Sequence, residues 1–251
     1  MTHVMPLRLA IVDDEELARG MLREFLATMP DIEIVAECAN GFEAVKAVAD
    51  LRPDLLLLDV QMPKLNGFEV IELVGRDVAV VFTTAHDEYA LRAFEVHAVD
   101  YLLKPFNAER LADALARARE RLARREPQPL AALAAAARPP GVPSTRVLVR
   151  DGARVYVIPT DTIDYVQAQD DYVAYRAEGK RYLKEQTLAE AEASLDPARF
   201  IRVHRSYLLN LDRLARVELD ERENRVATLT TGERLPISRS GHARLTAALE
   251  R

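Results

Sequence analysis

The chain has 251 residues, of which 49% are hydrophobic and 29% are charged, a balance that excludes a disordered or membrane-embedded protein. No apolar run approaches the roughly 20 residues that cross a bilayer. The N-terminus has neither a basic segment nor a long apolar stretch, so we predict no signal peptide and expect a cytoplasmic protein. The single cysteine, Cys38, excludes an intrachain disulfide or a zinc cluster.

Charge is distributed unevenly along the chain. Residues 1–143 hold 16 Lys+Arg against 23 Asp+Glu, whereas residues 144–251 hold 18 against 17. An acidic half and a near-neutral half predict different partners, and the length admits two ordinary domains. We predict a first domain over residues 1–124, a Pro- and Ala-rich linker over 125–144 and a second domain over 145–251. Five of the 13 prolines lie in this linker.

The first domain alternates short apolar runs with segments of helical periodicity. Predicted strands cover Leu7–Val12, Ile32–Ala36, Asp54–Asp59, Val78–Thr84 and Tyr101–Leu103, and predicted helices cover Leu17–Leu26, Gly41–Leu51, Phe68–Val74, Glu88–Val96 and Asn107–Arg124. The four leucines at 55–58 are too few for a globular helix and are typical of a strand buried on both faces. Five strand–helix alternations predict an α/β fold with a doubly wound, five-stranded parallel sheet.

Polar side chains stand where these strands end. Asp13 and Asp14 stand at the end of the first strand. Asp59, Thr84 and Lys104 stand at the ends of the third, fourth and fifth strands. In the common strand order two-one-three-four-five these side chains converge at one edge. Three carboxylates in one cleft require a divalent cation, and an all-oxygen set suits Mg²⁺. With Mg²⁺ and a lysine to neutralise phosphate oxygens, Asp59 becomes a candidate nucleophile for an aspartyl phosphate.

Four motifs resemble the receiver domain of response regulators over about residues 7–124. They are Asp13-Asp14, then Leu58-Asp59-Val-Gln-Met-Pro63 with Gly67, then Thr83-Thr84-Ala85, then Asp100-Tyr101-Leu-Leu-Lys104-Pro105-Phe106. The resemblance implies that Asp59 accepts a phosphoryl group from a histidine kinase. It also implies a Mg²⁺ site in which Asp14 and Asp59 bind directly, the backbone carbonyl of Gln61 is a third ligand and Asp13 acts through water.

The resemblance assigns a switch to the fourth and fifth strands. Thr84 would hydrogen-bond the phosphoryl group and Lys104 would pair with it. Tyr101 would be an aromatic switch that moves inward as Thr84 is drawn to the phosphoryl group. Pro105 would follow a cis peptide bond, which proline permits at modest cost.

The second domain changes to short β segments separated by turns. Predicted strands cover Arg146–Val149, Arg154–Ile158, Ile163–Ala168, Tyr172–Arg176, Arg181–Leu183, Phe200–Val203, Tyr207–Leu209, Leu214–Leu219, Arg225–Leu229 and Arg234–Ile237. Thr187 and Glu190 have capping-box spacing and open a helix through Leu195. A final helix begins near Ser238 or Ser240. We predict a mostly β domain with two short helices and no helix-turn-helix.

This domain resembles the LytTR DNA-binding domain over about residues 145–249. The motifs are Phe200-Ile-Arg202-Val-His204-Arg205-Ser206-Tyr207-Leu-Leu-Asn210, then Leu235-Pro-Ile-Ser-Arg239, and an earlier loop after Tyr165. The resemblance implies that loops enter successive major grooves of a direct repeat. Arg205 and Arg239 would face bases, while Arg202 and His204 would lie near phosphates or support the loop. The earlier loop places its contact at Gln169, Asp170 or Asp171, and an acid there could accept from a cytosine amino group.

Together the two resemblances predict a phosphorylation-dependent transcriptional regulator of a two-component system rather than an enzyme. Its partners would be a sensor histidine kinase, promoter DNA and a second copy of the chain. One alternative is an aspartate-nucleophile phosphohydrolase of the haloacid-dehalogenase type, which normally has a second carboxylate two residues after the nucleophile, where this chain has Gln61. Others are a protein-binding adaptor and a DNA-binding protein that does not depend on phosphorylation.

Overall fold

A computed structural model describes residues 5–74, 78–85, 99–124, 143–220 and 223–250. Contacts between residues divide the chain into two units, one extending to Pro139 and the other from Pro140 onward, apart from Gly152–Arg154. The predicted helix over Glu88–Val96 and nearly all of the predicted linker lie outside the described residues.

The first unit contains the predicted five-stranded parallel sheet. Its strands are β1 (Leu7–Val12), β2 (Ile32–Cys38), β3 (Leu55–Asp59), β4 (Ala79–Thr84) and β5 (Asp100–Leu103). Their spatial order is β2-β1-β3-β4-β5, which confirms the doubly wound fold and the predicted order. The register pairs Asp59 with Thr83 on the neighbouring strand, so β3 and β4 end together at one edge of the sheet.

The described helices of this unit are α1 (Glu16–Ala27), α2 (Gly41–Leu51), α3 (Gly67–Val74) and α4 (Ala108–Arg124). The four leucines of β3 are fully buried, as expected for a central strand covered on both faces. Leu55 and Leu57 belong to one core with Leu22 of α1 and Leu115 of α4. Asp59 is the last residue of β3, which pairs with β1 on one side and β4 on the other. Its carboxylate is therefore held on a rigid element.

The second unit is mostly β, as predicted. Its strands are β6 (Arg146–Asp151), β7 (Arg154–Pro159), β8 (Ile163–Gln169), β9 (Tyr172–Ala177), β10 (Lys180–Glu185), β11 (Phe200–His204), β12 (Tyr207–Asn210), β13 (Leu214–Leu219), β14 (Arg225–Leu229) and β15 (Arg234–Pro236). A five-stranded sheet has the order β10-β9-β8-β12-β11, a three-stranded sheet the order β13-β14-β15, and β6 pairs with β7. The last strand ends at Pro236, one residue before the predicted limit, although the N–H of Ile237 still donates to the carbonyl of Arg225 on β14 at 2.9 Å.

Two short α-helices are described in this unit, α5 (Leu188–Ser194) and α6 (Arg239–Leu249). The predicted capping box is present, since the Thr187 hydroxyl accepts from the backbone N–H of Glu190 and the Glu190 carboxylate accepts from that of Thr187. Of the two serines considered for the final helix, Ser238 is the cap, and its side chain accepts from the backbone N–H of Gly241. Within the described ranges, no helix combines the length and the apolar character required to span a membrane.

Candidate functional site

Three carboxylates meet where β1 and β3 end. Oxygen atoms of Asp13, Asp14 and Asp59 lie within 4.8 Å of one another. Asp13 and Asp59 are buried, whereas Asp14 is exposed, so the group is open to solvent on one side only. Parallel strands place their carboxyl ends at one sheet edge, which explains why residues 45 positions apart converge. The convergence predicted from the sequence is therefore present.

Lys104 completes this acidic group from the end of β5. Its Nζ donates to Asp13 Oδ2 at 2.7 Å and to Asp59 Oδ2 at 3.2 Å. Its backbone N–H donates to the carbonyl of Thr84 at 2.7 Å, which ties the lysine to the end of β4. The bond from Lys104 to Pro105 is cis, as the resemblance implies. The ammonium thus bridges two of the three carboxylates.

Burial and neighbouring charges set the protonation of these groups. Burial raises the pKa of Asp59, with a smaller contribution from Asp13, while Lys104 opposes the rise. Burial lowers the pKa of Lys104, but its hydrogen bonds and charge interactions with Asp13 and Asp59 outweigh that effect and raise its pKa overall. The site therefore holds a firmly protonated lysine beside a carboxylate that is costly to ionise, so it favours additional positive charge.

The hydroxyl and aromatic candidates lie on β4 and β5. Thr83 and Thr84 are both fully buried, and Thr84 is the last residue of its strand. The hydroxyl of Thr83 has no hydrogen-bond partner in the described part of the chain. Tyr101 is only 6% exposed, and its ring centroid lies 6.4 Å from that of Phe82 on β4. The tyrosine is therefore packed inside this unit rather than extended along an edge.

The chain leaves β3 through a turn that requires a glycine. A Cβ atom on Gly67 would lie 2.4 Å from the carbonyl oxygen of Asp59, closer than any real contact. The N–H of Gly67 donates to the carbonyl of Val60 at 2.9 Å, and the N–H of Gln61 donates to Asp59 Oδ1 at 3.3 Å. Gln61 itself is exposed. The turn therefore folds back on Asp59 and orients its carboxylate.

Two supporting contacts were not predicted from the sequence. Arg19 on α1 donates from Nη1 to the backbone carbonyl of Asp13 at 2.8 Å. The buried Asp100 accepts two hydrogen bonds of 2.7 Å from Arg110 on α4 and a third, short one from Arg117. The spacing of Arg110 and Arg117, one heptad apart on one helix face, is the available signal, but only the fold shows which acid they meet.

In the second unit, two turns and the start of α6 lie together at one end of the strands of the five-stranded sheet. Because β8 and β12 are antiparallel partners, the β8–β9 turn lies beside the β11–β12 turn, and Ala168 N donates to the carbonyl of Ser206 at 2.9 Å. The segment before α6 joins them, since Ser238 N donates to the carbonyl of Val203 at 2.9 Å. The three segments that carry the motifs form one continuous surface, which we call the loop edge, defined by residues 169–171, 204–206 and 237–240.

Residues of the loop edge divide into exposed and supporting side chains. Arg205 and Arg239 are exposed, and so are Asp170 and Asp171, whereas Gln169 is half-buried. Asp170 has a left-handed backbone with φ of 49°, which closes the tight turn after β8. Two arginines and two acids are therefore available to an external partner.

Arg202 and His204 are engaged within the domain. Arg202 donates to Glu192 at 3.1 Å and to the carbonyl of Arg205 at 3.0 Å. His204 Nδ1 accepts from the backbone N–H of Ser206 at 3.2 Å, and its ring centroid lies 5.9 Å from that of Tyr207. Of the two roles considered for these residues, contact with phosphate or support of the loop, these contacts correspond to support.

Two further residues fix the framework of this domain, Asn210 at the end of the sheet away from the loop edge and Gly241 beside it. Asn210 is fully buried, donates to the carbonyl of Ile163 at 2.6 Å and accepts from the N–H of Asp212 at 3.1 Å. A Cβ atom on Gly241 would lie 1.8 Å from the carbonyl oxygen of Val203, so α6 crosses β11 in direct backbone contact. Gly241 was not predicted from the sequence, because a glycine inside a helix shows its function only where another element approaches.

Family models match both units. Residues 9–116 match the response regulator receiver domain, and residues 153–250 match the LytTr DNA-binding domain. The chain is 38% identical over 237 residues to the transcriptional regulatory protein BtsR of Escherichia coli (strain K12), which covers 93% of this chain and 95% of that protein. It is 36% identical over 226 residues to an uncharacterized response regulatory protein of Vibrio cholerae, covering 84% and 86%.

Solved structures resemble the units separately. The REC domain of AraT, a response regulator from Geobacillus stearothermophilus, is 31% identical and covers 48% of this chain and 98% of its own, with a TM-score of 0.43. The LytTr DNA-binding domain of a putative methyl-accepting/DNA response regulator from Bacillus cereus is 24% identical and covers 43% and 99%, with a TM-score of 0.40.

Proposed function

Since the chain belongs to the LytTR-type response regulators, which are DNA-binding transcription regulators, we propose that phosphorylation of Asp59 controls its binding to promoter DNA. The contact that carries this proposal is Lys104 Nζ, which bridges Asp13 and Asp59 beside the exposed Asp14. This is the charge arrangement that a phosphoryl acceptor requires. The phosphoryl donor would be a sensor histidine kinase, and the site of action the cytoplasm.

The carboxylate group fits a Mg²⁺ ion. Carboxylate and carbonyl oxygens are the ligands that this cation prefers, and three oxygens within 4.8 Å leave room for water and phosphate. Asp14 and Asp59 would bind the ion directly, with the carbonyl of Gln61, and Asp13 would bind through water. The bound ion would neutralise phosphate oxygens and relieve the repulsion among the carboxylates.

The protein side chains then carry the transfer. A carboxylate oxygen of Asp59 attacks phosphorus, forming a P–O bond as the P–N bond to the kinase histidine breaks. Lys104 leaves its bridge between the acids to pair with the phosphoryl oxygens. Thr84, at the end of β4, donates its hydroxyl to the same group. The lysine is already within 3.2 Å of the acceptor oxygen, so its ammonium needs to move only a short way.

A response on the β4–β5 face would follow from this chemistry. Movement of Thr84 towards the phosphoryl group frees space beside β4, and Tyr101, packed beside Phe82, is placed to respond. The phosphoryl group promotes dimerisation only as far as it favours the dimer-competent state over the resting state. Two copies would then present two second domains to a direct repeat.

The domain limits that we propose are 1–124 and 145–251, with the linker at 125–144 between them.

The loop edge is the proposed DNA-binding surface. Arg205 and Arg239 are exposed and can form bidentate contacts with guanine edges. Asp171 can accept from a cytosine amino group, which would contribute specificity rather than affinity. Arg202 and His204 would act mainly as supports for the β11–β12 turn, given their internal contacts. Because the net charge of this domain is near zero, its specificity for a DNA sequence would depend on the positions of these few side chains.

The acceptor is tested by labelling with acetyl phosphate and Mg²⁺. We expect one phosphoryl group on the wild-type chain and none on Asp59→Asn, read by intact-protein mass spectrometry. Asp54→Asn is the matched control, because Asp54 lies at the other end of the same strand, where it accepts from the N–H of Arg8 at 2.9 Å. Labelling of Asp59→Asn at the wild-type level would refute the assignment, and labelling of neither protein would refute the acceptor function.

The DNA-binding surface is tested by mobility shift with genomic fragments at several salt concentrations. We expect the phosphorylated wild type to bind DNA more tightly than the unphosphorylated chain. Light scattering should give the phosphorylated chain the mass of a dimer. Arg205→Ala and Arg239→Ala should each weaken specific binding by about tenfold. Arg181→Ala, which removes an exposed arginine near the start of β10, should have little effect. Absence of any DNA binding would favour the adaptor alternative.

A further inference from the structure

Arg202 stands at the centre of a partly exposed ion network behind the loop edge. One guanidinium nitrogen donates to Glu192 Oε2 at 3.1 Å, and another donates to the carbonyl of Arg205 at 3.0 Å. Its side chain is 26% exposed. The planar guanidinium therefore links a carboxylate on α5 to the backbone of a residue proposed to read bases. A planar donor of this kind fixes direction as well as distance.

Glu192 also faces the final helix. Its second carboxylate oxygen, Oε1, lies 3.9 Å from Arg244 Nη1. Arg244 lies on α6, the helix that Arg239 begins. Glu192 thus contacts Arg202 on β11, the strand that leads into the turn of Arg205. It also contacts Arg244 on α6, the helix that Arg239 begins.

The backbone couples the same two elements. The carbonyl of Val203, next to Arg202 on β11, accepts from Ser238 N at 2.9 Å and from its hydroxyl at 3.2 Å. Gly241 permits the direct crossing of α6 over this carbonyl. A change in the direction of Arg202 would therefore be transmitted to the β11–β12 turn and to the start of α6.

We propose that Glu192 is a positioning residue for DNA recognition: through Arg202 and Arg244 it sets the relative placement of Arg205 and Arg239. This inference rests on the proposed binding through the loop edge. It assigns Glu192 no contact with DNA. Its contribution is the orientation of two arginines, which bidentate contacts with bases require.

Charge alone predicts the opposite effect for this residue. A carboxylate behind a DNA-binding surface repels phosphates, so its removal should tighten binding to every sequence and steepen the salt dependence. Loss of positioning should instead weaken binding to the specific sequence and leave binding to other sequences equal or stronger. The ratio of specific to non-specific affinity therefore separates the two explanations.

The experiment uses the full-length chain with acetyl phosphate and Mg²⁺. The wild type first selects duplexes from a random pool of about 30 base pairs, enough for successive major grooves. Dissociation constants are then measured for the selected duplex and for a shuffled duplex of equal composition. Glu192→Gln should lower the affinity ratio about tenfold, the value of one bidentate base contact. Glu178→Gln, with the same change in charge, should preserve the ratio.

Glu178 is a suitable control because of its place in the sheet. It lies in the β9–β10 turn, at the end of the sheet where β8 begins, whereas the loop edge lies where β8 ends. A second variant, Arg202→Lys, keeps the positive charge but cannot bridge Glu192 and the Arg205 carbonyl with a planar fork. Positioning predicts that Arg202→Lys lowers the ratio as Glu192→Gln does. A phosphate contact by Arg202 predicts a nearly unchanged ratio.

The outcomes test the positioning role of Glu192. Circular dichroism and the thermal midpoint first establish that Arg202→Lys is folded. A lowered ratio in both variants supports the positioning role. An unchanged ratio, or equal tightening on both duplexes as in Glu178→Gln, overturns it while leaving DNA binding intact. A wild-type chain that enriches no sequence would instead overturn the proposed function itself.

Discussion

The acidic site of the receiver domain and the loop edge of the DNA-binding domain are built in different ways. In the receiver, four strand ends bring Asp13, Asp59, Thr84 and Lys104 together, and three of these four side chains are buried. In the DNA-binding domain, Arg205 is exposed on the β11–β12 turn and Arg239 is exposed at the first residue of α6. Their placement depends on individual bonds to backbone carbonyls.

This difference shows where each region is sensitive to substitution. A parallel sheet places the carboxyl ends of its strands at one edge, so the convergence of the acidic group follows from the strand topology. The loop edge has no comparable framework, because each turn is held by a few hydrogen bonds. Both regions nevertheless depend on one close backbone approach that only glycine allows, at Gly67 and at Gly241.

The largest expected effect is that of Gly241→Ala. The added Cβ would lie 1.8 Å from the Val203 carbonyl oxygen, so α6 must move away from β11. We expect a loss of about 3 kcal/mol in the stability of this domain and loss of specific DNA binding. Calorimetry and mobility shift measure these effects. Phosphorylation of Asp59 should stay normal, and a variant that binds DNA as wild type does would show that the crossing is adaptable.

Asp100→Asn should destabilise the receiver by about 2 kcal/mol. The buried carboxylate accepts from Arg110 and Arg117, and its loss leaves two guanidinium groups without an anion, although both are partly exposed to water. Urea unfolding followed by circular dichroism measures the loss. The control is Asp50→Asn, which removes an exposed partner of Lys46 and should change stability little.

The same ion group predicts a dependence on pH. Burial raises the pKa of Asp100, but hydrogen bonds from Arg110 and the N–H of Tyr101, together with the charge of Arg117, outweigh burial and lower the pKa overall. A lowered pKa contributes stability above the unfolded-state value, about 3.9, and this contribution is lost as the pH falls through the folded-state value. Wild type should therefore lose stability below about pH 4 more steeply than Asp100→Asn. Parallel curves would contradict the assignment.

Asp59→Asn should raise the stability of the receiver, an effect opposite in sign to that of Asp100→Asn and smaller. Burial raises the pKa of Asp59, so its ionised form destabilises the fold at neutral pH, and the amide removes that cost. Without Mg²⁺ we expect a gain of about 1 kcal/mol, because Lys104 keeps Asp13 as its partner. Thermal unfolding in chelator measures it. A lower midpoint for the variant would show that the bond from Lys104 to Asp59 outweighs the cost of burying the charge.

The smallest expected effect is that of Gly20→Ala, the matched control for Gly241→Ala. Gly20 lies inside α1 with no atom within 4 Å of an added Cβ. Alanine should stabilise this helix by about 0.5–1 kcal/mol, because glycine costs more backbone entropy. The thermal midpoint of the receiver should rise, and DNA binding should stay unchanged. Destabilisation would indicate an unrecognised contact of α1.

The sequence predicted the receiver more fully than the loop edge. Leu55–Leu58 indicated a buried strand, the strand–helix alternation indicated a doubly wound sheet, and the common strand order of that fold placed Asp59 near Lys104. In the second domain the strands and both helices were predicted within about two residues, and the motifs lie in segments that the structure brings to one end of the sheet. The roles of Arg202 and His204 remained open, because a residue between two turns can point either way.

By itself, the sequence determined the two-domain order, the parallel sheet and the residues available for chemistry, since these follow from apolar periodicity and strand ends. Only the tertiary structure decided that Arg202 faces Glu192, that Gly241 crosses Val203 and that Asp100 meets Arg110. Such contacts join different secondary-structure elements, even where the residues are only 10 positions apart in the sequence. Their geometry depends on how helices cross strands, which local periodicity does not encode.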